Sequence, residues 1–223
     1  MKKLLLTLSS LLLAASLFAQ NKYKEKVVIE TQYGKIVISL YENTRKHKEN
    51  MLKLIKEHFY DGTLFHRVIP NFVIQGGDPD SKKATTGTAL GDGDVGYRIP
   101  AEINPVNFHQ RGALGMARDN NPEKASSGCQ FYIVTGKKYT DEELNKISER
   151  TGRKFLPKQR TIYKTVGGTP HLDGNYTVFG IVEEGMDVVD KISAVERDEK
   201  DRPKADIAMQ RVKMKKKKFL GIF

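Results

Sequence analysis

Arg67 and Gln75 are the side chains most able to do chemistry in this chain. They lie within Phe65-His66-Arg67-Val68-Ile69-Pro70-Asn71-Phe72-Val73-Ile74-Gln75-Gly76-Gly77-Asp78. A guanidinium and an amide fixed beside Phe72 offer directed hydrogen bonds next to an apolar surface. A core strand needs neither, since Arg is almost never buried without a partner. The plainer alternative is a half-exposed strand whose Arg faces water, and pattern alone leaves both readings open.

Other reactive side chains argue for less. Cys129 is the single cysteine, so no intramolecular disulfide can form. Its setting, Gly128-Cys129-Gln130-Phe131-Tyr132-Ile133-Val134, reads as a buried strand in which a thiol acts as a small hydrophobe. A nucleophilic thiol would need an exposed site and a His partner. The five histidines are scattered without metal-ligand spacing, and His47 and His58 are expected to be solvated surface residues. Gly87, Gly91, Gly93 and Gly96 match neither phosphate-binding spacing, and no apolar helix follows them. Glycine there is expected for positive φ and close backbone approach.

The elements that must position Arg67 and Gln75 are mostly strands. Val68, Ile69, Val73 and Ile74 favour strand, Pro70-Asn71 interrupts it, and Gly76-Gly77 ends it in a turn. Period-2 alternation places Phe65 with Arg67 on one face, and Val73 with Gln75 on one face. Lys26–Thr31 and Lys35–Leu40 flank Gln32-Tyr33-Gly34 as a hairpin. Asn43-Thr44 precedes a helix over 47–58, with Met51, Leu52, Leu54 and Ile55 on its apolar face. Small-residue and apolar strands follow at 112–117 and 130–134. Thr140-Asp141-Glu142-Glu143 is a capping box opening a helix to about Arg150, and a second short helix covers Pro157 to Val166. A strand to Val182, a helix over 186–192 and a last strand over 207–214 complete the pattern. Many short strands with few helices imply an antiparallel barrel or sandwich with helices at its ends.

The chain has 223 residues, 39% hydrophobic and 29% charged, which suits one globular domain with decorations. Residues 1–19 read as a secretory signal: Lys2 and Lys3, then an apolar run from Leu4 to Phe18, with Ala19 before the cleavage point. The run is short for a membrane span. Residues 20–26 are a polar leader. The net charge of +11 is concentrated in Lys213 and Lys215 to Lys218, so it reads mainly as a solvated basic tail over 215–223.

Taken together, the stretch over 65–78, Gly115-Met116-Ala117, the segment from Gly128 to Ile133, Leu172-Asp173-Gly174 and Val178-Phe179-Gly180 resemble the cyclophilin family of peptidyl-prolyl cis-trans isomerases. These motifs occur in the family's order, and the likeness covers 27–214 apart from a helical insertion at about 137–166. The resemblance implies a mostly β fold: a closed eight-stranded antiparallel barrel capped by two α-helices, with its active site on the outer face. It implies Arg67 as the catalytic arginine. Phe72 and Val73 would stand beside the proline pocket, and Gln75 would position the substrate backbone. Ala117 and Gln130 would line the neighbouring groove, with Tyr132, His171, Leu172 and Tyr176 on the far wall. Val73, Tyr132, His171 and Tyr176 depart from the residues commonest at those places, which weakens any expectation of tight cyclosporin binding.

Rotation about an X-Pro bond breaks no covalent bond, so no metal or cofactor is expected. The implied partners are proline-containing polypeptide clients met outside the cytoplasm, most simply in a periplasm, by a monomeric protein. The competing function is a binding or chaperone module on the same fold that holds proline peptides without turnover. Nucleic acid is not expected: the export signal argues against it, and the tail lacks interleaved stacking aromatics apart from Phe219 and Phe223.

Overall fold

In the computed structural model, residues 25–85 and 87–215 are described; the expected signal, most of the expected leader and the expected tail beyond Lys215 lie outside them. Ten strands and four α-helices follow in chain order: β1 (Lys26–Thr31), β2 (Gly34–Leu40), α1 (Arg45–Lys56), β3 (Phe65–Ile69), β4 (Val73–Gly76), β5 (Arg98–Ile99), β6 (Ala113–Met116), β7 (Ser126–Ser127), β8 (Phe131–Val134), α2 (Asp141–Thr151), α3 (Pro157–Thr165), β9 (Val178–Glu184), α4 (Met186–Ser193) and β10 (Arg211–Met214).

Eight strands form one antiparallel sheet in the order β10-β1-β2-β9-β6-β8-β4-β3. The expected closed barrel is this curled sheet. Its two edges meet through a short seam and not through a full ladder. Leu64 bridges Ala208, and backbone bonds run from Gly62 to Met209, from Met209 to Thr63 and from Phe65 to Ile207 at 2.8–2.9 Å. The interior holds Ile29, Ile38, Phe65, Ile74, Leu114, Phe131, Ile133 and Phe179 against α1 and α4. These two helices are the expected caps.

The apolar run of β8 is explained by burial on both faces. Phe131 and Ile133 point into the barrel, whereas Tyr132 and Val134 join Val73, Ala113 and Val178 on its outer face. That outer face carries the pocket described below. The helices α2 and α3 fall within 137–166 and pack around a separate apolar cluster of Phe108, Leu144, Ile147, Phe155 and Tyr163. The capping box of α2 forms as its sequence implies. Thr140 and Glu143 exchange bonds with each other's backbone, and Gly152 ends the helix in the left-handed region at φ 66°.

Two local expectations are corrected. His47 is fully buried and not solvated. Its Nδ1 lies 2.6 Å from Glu102 Oε2, and its Nε2 lies 2.9 Å from Ser126 Oγ. Burial lowers the His47 pKa, with Glu102 opposing. The Glu102 carboxylate also accepts the backbone N–H groups of Lys46 and His47 at 3.0 Å. A residue distant in sequence thus caps α1, whose own Thr44 side chain makes no capping bond. The second correction concerns face sharing in β3. The β3–β4 register shifts between Phe65 and Arg67, a β-bulge at His66. The extra residue sends Phe65 into the barrel core and turns Arg67 outward.

Candidate active site

The bulge brings the two polar side chains together. Beyond it Arg67 stands opposite Gln75, and Gln75 in turn stands opposite Tyr132 of β8. Side chains opposite each other on paired strands share a face. Arg67, Gln75 and Tyr132 therefore form a row across β3, β4 and β8. Val73 shares the face of Gln75 one period away. The tight turn between β3 and β4 needs Asn71 at φ 60°, and Phe72 follows it.

These side chains line a cavity of about 150 Å³ together with Ala117, Arg118, Leu172 and Tyr176. That is well below the roughly 300–1,000 Å³ of sites for drug-sized ligands, and suits a single small ring. A second depression of about 210 Å³ lies behind the β3–β4 turn, beside the Arg111–Asp190 ion pair. It shares no residue with the first and holds none of the expected side chains.

Two further expected residues contact those that line the cavity. Gln130 is buried and accepts from Gln75 Nε2 at 3.0 Å, while its own Nε2 donates to the carbonyls of Gly91 and Gly93 at 2.8 and 2.7 Å. The Gly-rich loop is in turn gathered by the buried Asp78 carboxylate, which accepts from the N–H of Gly91 at 2.6 Å and of Asp80 at 2.8 Å. A β-carbon at Gly93 would collide with Asp78, so the loop needs glycine there for close approach. The chain Asp78–loop–Gln130 fixes the orientation of Gln75. His171 stacks on Phe72 with ring centroids 5.5 Å apart and planes 16° off parallel. Burial and the nearby Arg150 lower its pKa, so it backs Phe72 as a neutral ring.

Beneath the floor lies a polar network that sequence reasoning missed. Tyr132 Oη is 2.8 Å from His109 Nε2, and His109 Nδ1 is 2.8 Å from Asp173 Oδ1. Asp173 also accepts from the His109 N–H at 2.8 Å and from Tyr163 Oη at 2.6 Å. With Nδ1 donating to the carboxylate, Nε2 is placed to accept from the Tyr132 hydroxyl. Tyr163 belongs to α3, so this helix reaches the pocket floor through one carboxylate. The Tyr132 ring also lies against Gly115, where a β-carbon would sit within 3.0 Å of it.

Electrostatically the pocket is cationic. Arg67 is 41% exposed, and its nearest carboxylate, Asp201, is 4.0 Å away. Asp201 lies nearer Arg197, at 3.1 Å. Arg118 was not singled out from the sequence. Nothing in its local pattern marks it, because it lies over Tyr176 only once the strands are folded. Cys129 is fully buried, and burial pushes its thiol up to about 11, the state of an inert core cysteine.

A family model described as "Cyclophilin type peptidyl-prolyl cis-trans isomerase/CLD" matches residues 26–214. A putative bifunctional phosphatase/peptidyl-prolyl cis-trans isomerase of Streptococcus pyogenes is 37% identical over 201 residues. The match covers 87% of this chain and 40% of that longer protein. A peptidyl-prolyl cis-trans isomerase of Acinetobacter baylyi is 35% identical over 196 residues, covering 87% of this chain and 84% of its own length. A crystal structure of a cyclophilin type peptidyl-prolyl cis-trans isomerase from Cryptosporidium parvum shares the fold. Its TM-score is 0.64 at 24% identity, over 87% of this chain and 99% of that one.

Proposed function

The chain belongs to the cyclophilin type peptidyl-prolyl cis-trans isomerase family, and on that premise we propose that it catalyses rotation about X-Pro bonds with Arg67 as the catalytic cation. The observation that carries this is the bulge-directed pairing of Arg67 with Gln75 at the edge of a small apolar cavity.

The barrier to X-Pro rotation is roughly 18–20 kcal/mol because amide resonance must be broken. In the twisted amide the nitrogen is pyramidal and carries a localised lone pair. A guanidinium N–H donated to that nitrogen stabilises the twisted state more than the planar one. Arg67 is permanently charged, planar and only weakly engaged by Asp201, so its donors are available. Phe72, Val73, Tyr132, Leu172 and Tyr176 form the apolar seat for the proline ring. Gln75, its amide held by Gln130, presents its free carbonyl and remaining N–H to the flanking peptide. Ala117 leaves room beside the seat, and His171 keeps Phe72 in place.

Arg67→Ala should keep the fold and lose about 10²–10³ in kcat/KM, the usual effect of deleting one transition-state contact. Wild-type rates for this variant in a protease-coupled assay on a short Ala-Pro peptide would overturn the mechanism. A wild-type protein that binds the peptide without turning it over would support the competing holding function instead.

The N-terminal signal pattern supports the natural setting proposed here, an exported isomerase that assists the folding of proline-containing clients in the periplasm. N-terminal sequencing of the protein from a periplasmic fraction should begin at Gln20, and an intact Met1 in the cytosol would refute export.

A further inference from the structure

We infer that the 171–176 side of the pocket is a carboxylate-recognising rim, with Arg118 as its specificity-determining residue, so that the enzyme favours clients carrying Asp or Glu beside the proline. This rests on the isomerase reading above.

Four cations from two parts of the chain, the loop after β6 and the end of α2, converge on that side. Arg118, just after β6, lines the cavity with its guanidinium over the Tyr176 ring at 5.0 Å. Its Nε donates to the Asn175 carbonyl at 2.8 Å and its Nη1 to the Asp119 carbonyl at 2.8 Å. Lys124 donates to the Gly174 carbonyl at 2.8 Å and to Asn175 Oδ1 at 2.9 Å. From the insertion, Arg153 packs its guanidinium against Gly174, and Arg150 lies near enough to His171 to lower its pKa.

Carbonyls orient Arg118 and Lys124 without neutralising them. Among the described residues none of the four enters an ion pair, whereas most other cations near a carboxylate do. The acids close by are engaged elsewhere or outnumbered. Asp119 is held by Arg98 and Asn121. Asp173 is buried under His109 and Tyr163. Glu123 is exposed on the same loop and offsets one charge of the four. Among the described residues no carboxylate lines the cavity.

A substrate seated against Phe72 and Tyr132 therefore passes Arg118 within a side chain's reach. A carboxylate next to the proline gains a charge-assisted bond there, and a Lys is repelled. Because Arg118 is already held in place, little rotamer entropy is lost on binding.

The test is the turnover of Ala-Pro peptides bearing Glu, Ala or Lys in turn on either side of the pair, by the full mature chain at low salt. A partly exposed pair of this kind corresponds to about a two- to fivefold gain in kcat/KM for Glu over Ala, and a matching loss for Lys. At about 1 M salt, where the screening length is about 3 Å, the Glu-to-Lys ratio should collapse toward one. Arg118→Gln should lose the ratio and Arg118→Lys should keep part of it. A merely structural role would lower all three peptides together and leave the ratio intact. The Arg150→Gln, Arg153→Gln double variant, altered on the insertion alone, should reduce the ratio partway.

A wild-type enzyme blind to peptide charge, or an Arg118→Gln variant with an unchanged ratio, overturns the inference while leaving the isomerase reading standing. No turnover of any peptide overturns both.

Discussion

Replacing Gly115 by alanine should deform the floor of the pocket. Gly115 stands across from Tyr132 in the β6–β8 ladder, and an added β-carbon would lie within 3.0 Å of the tyrosine ring. Relaxed carbon contacts sit near 3.5–4.0 Å, so the ring would have to retreat by roughly 1 Å. It has little room to do so. Its hydroxyl is tied to His109 at 2.8 Å, its face lies over the His109 ring, and the Tyr176 ring meets it edge-on at 6.0 Å. Overpacking of this kind costs about 1–3 kcal/mol. Breaking the hydroxyl–imidazole bond, which strands a buried nitrogen, adds about 1 kcal/mol.

The total of about 2–4 kcal/mol, at a urea dependence of about 2 kcal/mol per molar, lowers the unfolding midpoint by about 1–2 M. Turnover of an Ala-Pro peptide should fall as well, since the displaced ring is part of the proline seat. The assay is equilibrium urea unfolding alongside peptide turnover for wild type, Gly115→Ala, Tyr132→Leu and the double variant. Leucine vacates the far edge of the ring, so the alanine should cost less in its presence, with a coupling of about 1–2 kcal/mol. A Gly115→Ala midpoint within about 0.3 M of wild type, or strictly additive losses in the double variant, would refute the reasoning.

Two further outcomes follow from buried polar groups. Tyr163→Phe removes one donor from Asp173 and should cost about 1–3 kcal/mol. It should also raise KM through Tyr132, a split that loss of helix packing alone would not give; unchanged KM counts against the link. His66 is buried, with the Leu64 carbonyl and the Asp78 carboxylate near its ring but no well-formed hydrogen bond at either nitrogen among the described residues. Burial lowers its pKa below 6.5, opposed by Asp78 and reinforced by Arg67 and Arg202. Below pH 6.5 the unfolded chain takes up a proton that the folded chain refuses, so stability is lost as pH falls through that window, by at most about 1.4 kcal/mol per pH unit for one group. His66→Leu should flatten the decline in urea midpoint between about pH 8 and pH 5, and an unchanged slope would count against it.

Much of the fold could be read in advance wherever local chemistry decides it. The hairpin of β1 and β2, the capping box of α2 and the burial of Cys129 depend on nearest neighbours in sequence. So does the break at Pro70-Asn71, which the positive φ of Asn71 completes. All of the cavity-lining residues except Arg118 were legible through the resemblance, since the motifs carry them. What escaped depends on contacts distant in sequence. His47 looks like a surface residue on a polar helix face until Glu102 and Ser126 arrive from other segments. The bulge at His66 is invisible to a period-2 reading, yet it decides that Arg67 leaves the core while Phe65 stays in it. That Gln130 bonds to Gln75 and His171 stacks on Phe72 was not legible either, because burial and stacking direction are properties of the assembled sheet.

The position of β1 between β2 and β10 has a consequence for how the molecule comes into being. Its pairing with β2 is local and can form as soon as both strands are available. Its other edge pairs with β10, Val27 facing Met214, so that edge stays open until all the other strands of the sheet have been delivered. An unpaired edge is a template for pairing with foreign chains, and closing it by such a long-range contact is slow compared with helix or hairpin formation. A barrel built this way is at its most vulnerable before β10 has been made, and becomes self-contained only once that ladder closes.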